Sequence, residues 1–62
     1  VGTGIVVYVT ALRIEKAKQL LRETQLKSYE IAEKVGYSNP SYFSTVFKDL
    51  TGCTVFQYRK RL

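Results

Sequence analysis

The sequence predicts an all-α chain, a small helical bundle made of one long helix followed by three short ones. Three observations carry this. Phe43, Val46, Phe47 and Leu50 recur at i, i+3, i+4 and i+7, the spacing of one helix face. Gly36 and Gly52 fall where helices need a left-handed residue to stop, and each is soon followed by a start signal, Asn39-Pro40 and Thr54-Val-Phe-Gln57. Upstream, apolar residues keep helical spacing from Ile5 to about Arg22. With 62 residues this is at most one small domain. Chains of this size bury only about 60% of their unfolded surface, so stability is marginal.

The opening stretch VGTGIVV contains a Gly-x-Gly pair, but too few glycines for a phosphate-binding loop. IVVYVT has the residue preferences of a strand, yet the helical pattern runs straight through it. One helix is therefore expected from about Ile5 to Arg22. Its apolar stripe changes direction midway: Ile5, Tyr8, Val9 and Leu12 point one way, and Ile14, Ala17, Leu20 and Leu21 another. The turn is roughly 130° at about 100° per residue. A strut touching two lobes needs such a change; a single core wrapped round the helix is the other arrangement that produces it. Along the charged side, Glu15 can pair with Lys18, while Lys18 and Arg22 repel weakly. Arg13 lies near the buried side, where a structural hydrogen-bonding role is expected.

Thr24 to Lys27 connect to the second helix, with Leu26 as an inward anchor and Ser28 as its cap. Ile31, Ala32 and Val35 form the buried side of that helix, and Glu30, Glu33 and Lys34 the outer side. Gly36 ends it, and Tyr37 supplies the hydrophobic contact of the cap. Because the residue before a proline avoids the α region, Asn39 is the next cap and Pro40 the first residue of the third helix. Cys53 follows Gly52 as a small apolar plug. Thr54 and Gln57 form a capping box that opens the last helix. There Val55, Phe56 and Tyr58 close the core, and Arg59, Lys60 and Arg61 trail into solvent.

The third helix has two contrasting faces. Phe43, Val46, Phe47 and Leu50 must be buried, whereas Ser41, Ser44, Thr45 and Lys48 share the reverse side. Three small hydroxyls and one lysine, with Asp49 near one edge, make a slim polar face that fits a DNA major groove. An ordinary solvated surface has the same composition.

IAEKVGYSNPSYFSTVFKDLTG resembles the second helix-turn-helix of the AraC/XylS family of bacterial transcription regulators. The resemblance rests on Ile31-Ala32, Gly36-Tyr37, Ser41-Tyr42-Phe43, Phe47-Lys48, Thr51-Gly52, Thr54 and Tyr58-Arg59. It reaches back through Arg13-Ile14-Glu15-Lys16-Ala17, similar to that family's linker helix. Two positions depart from the pattern: Val55 stands for a usual proline and Lys27 for a common Ser-type cap. The resemblance implies a homeodomain-like helix-turn-helix bundle. In it, residues 1–26 are the linker helix to a missing first helix-turn-helix, and residues 27–62 are the second helix-turn-helix subdomain with its closing helix. It also implies sequence-specific binding of double-stranded DNA in the cytoplasm of a bacterium, with a recognition helix at about residues 40–50. Asn39, Pro40, Ser41, Tyr42, Ser44 and Thr45 would then meet DNA. Ser41 and Thr45 are the candidates for base edges, Tyr42 for a thymine methyl or a phosphate, and Lys48 for phosphate. Ser28, Tyr29, Arg59 and Lys60 are further candidate phosphate contacts. Contact with RNA polymerase is compatible with such a regulator.

The net charge of +5 is unevenly spread: residues 13–27 carry +3, residues 28–52 carry −1 and residues 53–62 carry +3. Attraction to phosphate must therefore come from the flanks and from helix N-termini. One cysteine and no histidine exclude an internal disulfide and a Cys/His metal cluster, which suits a reducing setting. No cofactor is called for. Ser41 and Cys53 have no histidine to activate them, and the acidic residues are scattered, so an enzyme lacks its parts. No run is long enough to span a bilayer, and GIVVYV lacks the cationic flank of a signal peptide. The reading that competes with DNA binding is a helical protein-interaction module.

Overall fold

Four helices follow in order: α1 (Gly2–Glu23), α2 (Ser28–Lys34), α3 (Pro40–Thr51) and α4 (Val55–Arg61). The structure, a computed structural model, describes residues 2–62, and of Gly2, Thr3, Ile5 and Val6 it describes the backbone alone. No strand occurs among the described residues, so IVVYVT is helical. Its β-branched residues lower helix propensity only slightly, and the turns that follow extend an existing helix rather than nucleating one. At about 1.5 Å per residue α1 is roughly 33 Å long. It accounts for the molecule's longest dimension, 36 Å.

The core is built from every helix. Ile14, Ala17 and Leu21 of α1 meet Ile31 and Ala32 of α2, Phe43 and Phe47 of α3 and Val55 of α4, with Val35 and Tyr37 from the turn. Phe43, Phe47 and Ile31 are the largest fully buried side chains. Each contributes on the order of 1.5–3 kcal/mol by leaving water. Aromatic rings run in sequence through this core: Tyr42–Tyr37, Tyr37–Phe43, Phe43–Phe47 and Phe47–Tyr58, with centroids 5.8, 5.6, 6.0 and 5.7 Å apart. All four pairs are inclined, in the range aromatic quadrupoles favour. The other half of α1 projects beyond the core: Val7, Val9, Tyr8 at 65% and Leu12 at 52% are exposed. Ile5, assigned to the same side, lies outside the described side chains.

Local chemistry explains each boundary. The Tyr37 N–H donates to the Ala32 carbonyl at 2.8 Å and the Gly36 N–H to that of Glu33 at 3.2 Å. This crossed pair is the Schellman closure of α2, and Gly36 has φ +102°. Asn39 Oδ1 accepts the Ser41 and Tyr42 N–H groups at 2.9 and 3.2 Å, with Pro40 as the first helical residue. Gly52, at φ +82°, ends α3. The Thr54 hydroxyl accepts the Gln57 N–H and Gln57 Oε1 accepts the Thr54 N–H, both at 3.0 Å. Cys53 is buried as expected, and its N–H donates to the Thr51 hydroxyl at 3.3 Å.

Five sequence expectations need correction. Ser28 is not the cap of α2: Lys27 is, and Glu30 Oε1 accepts the Lys27 N–H at 2.9 Å. Lysine has no side-chain acceptor, so only this half of a capping box can form. Leu50 is 53% exposed although it shares the apolar azimuth of α3. Periodicity gives direction round a helix, not how far its neighbours extend along it. Phe56 is also exposed, because the first turn of α4 turns only Val55 inward. Arg59, Lys60 and Arg61 belong to α4 rather than trailing from it. Arg59 Nη2 donates to the Thr24 carbonyl at 3.4 Å and Arg22 Nη1 to the Tyr58 hydroxyl at 3.2 Å, fastening α4 to the end of α1. Arg13 stacks on Tyr37, Cζ 5.2 Å from the ring centroid, instead of serving through hydrogen bonds.

Candidate nucleic-acid interface

Burial of Phe43 and Phe47 fixes the rotation of α3, and so presents Ser41, Ser44, Thr45 and Lys48 to solvent. All four are exposed. The Thr45 hydroxyl donates to the Ser41 carbonyl at 3.2 Å. In that rotamer its lone pairs are left to accept. At the start of α3, Asn39, Pro40 and Tyr42 are exposed too, Tyr42 standing against the buried Tyr37 ring. The Ser41 and Tyr42 amides are taken by Asn39, so they are not free donors for an anion.

Beside this face lies an open groove of about 550 Å³. Ser44, Thr45 and Lys48 form one side of it, Lys27 and Ser28 at the start of α2 another, and Thr54, Val55, Phe56 and Arg59 of α4 and its cap a third. Lys27 from the cap of α2, Lys48 from α3 and Arg59 from α4 are thus brought together, and no carboxylate lines the groove. The local charge there is opposite to the −1 carried by residues 28–52 as a segment. Of the sequence-predicted residues, Ser28 and Arg59 join Ser44, Thr45 and Lys48 in the groove. Asn39, Pro40, Ser41 and Tyr42 lie beyond it at the cap and first turn of α3, and Tyr29 and Lys60 are exposed without lining it. Lys27, Thr54, Val55 and Phe56 were not foreseen as lining residues. The capping box at Thr54 marked the start of α4, and the start of α2 was placed one residue late at Ser28, but nothing local showed that the two helix starts face one another.

A family model described as "Helix-turn-helix domain" matches residues 1–61. A putative AraC-like transcription regulator of Streptomyces lividans is 42% identical over 60 residues, covering 97% of the chain. The chain belongs to the AraC-type helix-turn-helix family. This AraC-type domain is also 43% identical over 53 residues, 86% of the chain, to the HTH-type transcriptional regulator YisR of Bacillus subtilis (strain 168). In the crystal structure of the C-terminal domain of the two-component response regulator yesN from Fusobacterium nucleatum, the matching part has a TM-score of 0.83 and 52% identity. It covers 84% of the chain and 50% of that domain. The chain spans 20% of the length of the Streptomyces relative and 18% of YisR. Among the described residues of the AraC-type domain, no helix is long and apolar enough to cross a membrane.

Proposed function

We propose that the chain is the second of two helix-turn-helix units of a cytoplasmic bacterial transcription regulator, non-enzymatic, and binds double-stranded DNA sequence-specifically. α3 enters the major groove. The observation that carries this reading is the outward presentation of Ser41, Ser44, Thr45 and Lys48 on a helix whose reverse side is anchored by Phe43 and Phe47. A slim face of hydroxyls passes between the backbones and reaches base edges. In the hydrogen-bonding geometry of Thr45, that residue accepts, which suits the amino group of adenine or cytosine. Lys27, Lys48 and Arg59 neutralise phosphates alongside.

The first unit covers the exposed Tyr8, Val9 and Leu12 of α1. Support for it comes from the length of the yesN C-terminal domain, of which this chain accounts for 50%. Serine and threonine discriminate bases weakly, so much of the specificity of the whole regulator resides in that first unit.

Selection from a random duplex library, followed by affinity measured across a salt series, tests the reading. Enrichment of a short motif and a steep fall of log affinity with log salt are expected. Absence of duplex binding at low salt overturns it and leaves a helical protein-interaction module, whose association would not share that salt dependence.

A further inference from the structure

Phe56 is 74% exposed, the most exposed of the large hydrophobic side chains described. It contributes little to the core, and the capping box of α4 forms from Thr54 and Gln57 without it. Its position is what is informative. The ring lines the same groove as Lys27, Lys48 and Arg59, with Ser44 and Thr45 on the adjoining wall. A protein partner seated over this ring would have to cover three cations that have no carboxylate in the groove, and each uncompensated charge taken from water is costly. A nucleic-acid strand has the complementary alternation: anionic phosphates joined by apolar sugar faces.

We propose that Phe56 is a DNA-contacting residue, packing its ring on a deoxyribose of the strand that borders the major groove while the three cations hold flanking phosphates. This rests on the DNA-binding reading above and adds an apolar contact made from outside the recognition helix. The contact is with the backbone, so it strengthens binding to every sequence alike. It carries no counterion release of its own, so it leaves the salt dependence unchanged.

The test compares the unaltered chain, Phe56→Ser and Lys48→Ala on a mixed-sequence duplex by fluorescence anisotropy over a salt series. Thermal unfolding serves as a control, and it should barely move for the exposed Phe56. Phe56→Ser should bind about five- to tenfold more weakly at each salt concentration with the slope of log affinity against log salt retained. Lys48→Ala should reduce that slope by about one. If Phe56→Ser binds like the unaltered chain while Lys48→Ala is weakened, the Phe56 contact is refuted and the DNA reading stands. Loss of slope in Phe56→Ser overturns the contact as well, because the ring would then act only by arranging the cations. Failure of the unaltered chain to bind at low salt removes the DNA reading and this inference with it.

Discussion

The guanidinium of Arg13, midway along α1, lies over the ring of Tyr37 with Cζ 5.2 Å from its centroid. A Cβ built on Gly36 would meet the same guanidinium at 3.3 Å. Gly36 therefore serves twice: it adopts φ +102°, and it leaves the flat space in which Arg13 reaches the turn. Through Tyr37, whose ring is 5.8 Å from that of Tyr42, the turn joins α1 to the exposed start of α3.

Arg13→Ala should cost about 1 kcal/mol, the value of a cation–π contact that is partly desolvated. Gly36→Ala should cost about 1–2 kcal/mol from the positive φ, with a further increment from the Arg13 contact. Chemical denaturation of the two single variants and the double variant checks this. The double variant should lose less than the two single losses combined, because without Arg13 the added methyl has room; strict additivity would refute the shared contact.

The two helix starts of the motif should respond differently. Asn39→Ala removes the acceptor of two α3 amides and should cost about 1 kcal/mol, a fall in Tm of about 4–8 °C for a domain of this size. Ser28→Ala should change stability by less than about 0.5 kcal/mol, since Lys27 and not Ser28 caps α2. Equal losses at the two positions in a thermal melt would contradict the cap geometry.

Phe47→Ala should remove about 3–5 kcal/mol from a chain whose total stability is on the order of 3–9 kcal/mol. Circular dichroism should find it largely unfolded at physiological temperature. Leu50→Ala, on the same azimuth but exposed, should stay within about 0.5 kcal/mol of the original.

On DNA, Ser41→Ala and Thr45→Ala should alter sequence preference. Lys48→Ala should instead weaken all duplexes similarly and lower the salt slope by about one. Binding assays on a panel of duplexes separate these effects. Uniform weakening by all three substitutions would rule out base reading by the hydroxyls.

Tyr8→Lys with Leu12→Lys should leave the melting of this chain nearly unchanged, because both side chains are exposed. In a protein that includes the preceding unit, the same pair should lower stability by several kcal/mol through two buried, unpaired charges. Equal tolerance in both settings, measured by denaturant unfolding, would show that no lobe covers this part of α1.

Helix boundaries were legible because their causes are local. Asn39-Pro40, Gly52 and the Thr54–Gln57 pair act within one turn of their own positions, and the periodicity of Phe43 and Phe47 gives the rotation of α3 directly. Leu50 and Phe56 were misread for one reason: apolar character at the right azimuth does not reveal whether another helix lies alongside. Arg13 was assigned a hydrogen bond because its partner, the Tyr37 ring, is 24 positions away along the chain.

Residue order alone was enough for the helices, for which side of α3 is turned outward and for the family to which the chain belongs. These follow from interactions spanning at most a few residues and from a motif written contiguously. Folding added the basic groove. Lys27, Lys48 and Arg59 sit in stretches of different charge, and the stretch containing Lys48 is slightly acidic. Only the packing of α2, α3 and α4 on the aromatic core brings these three cations together, because electrostatic potential depends on distance through space and not on separation along the chain.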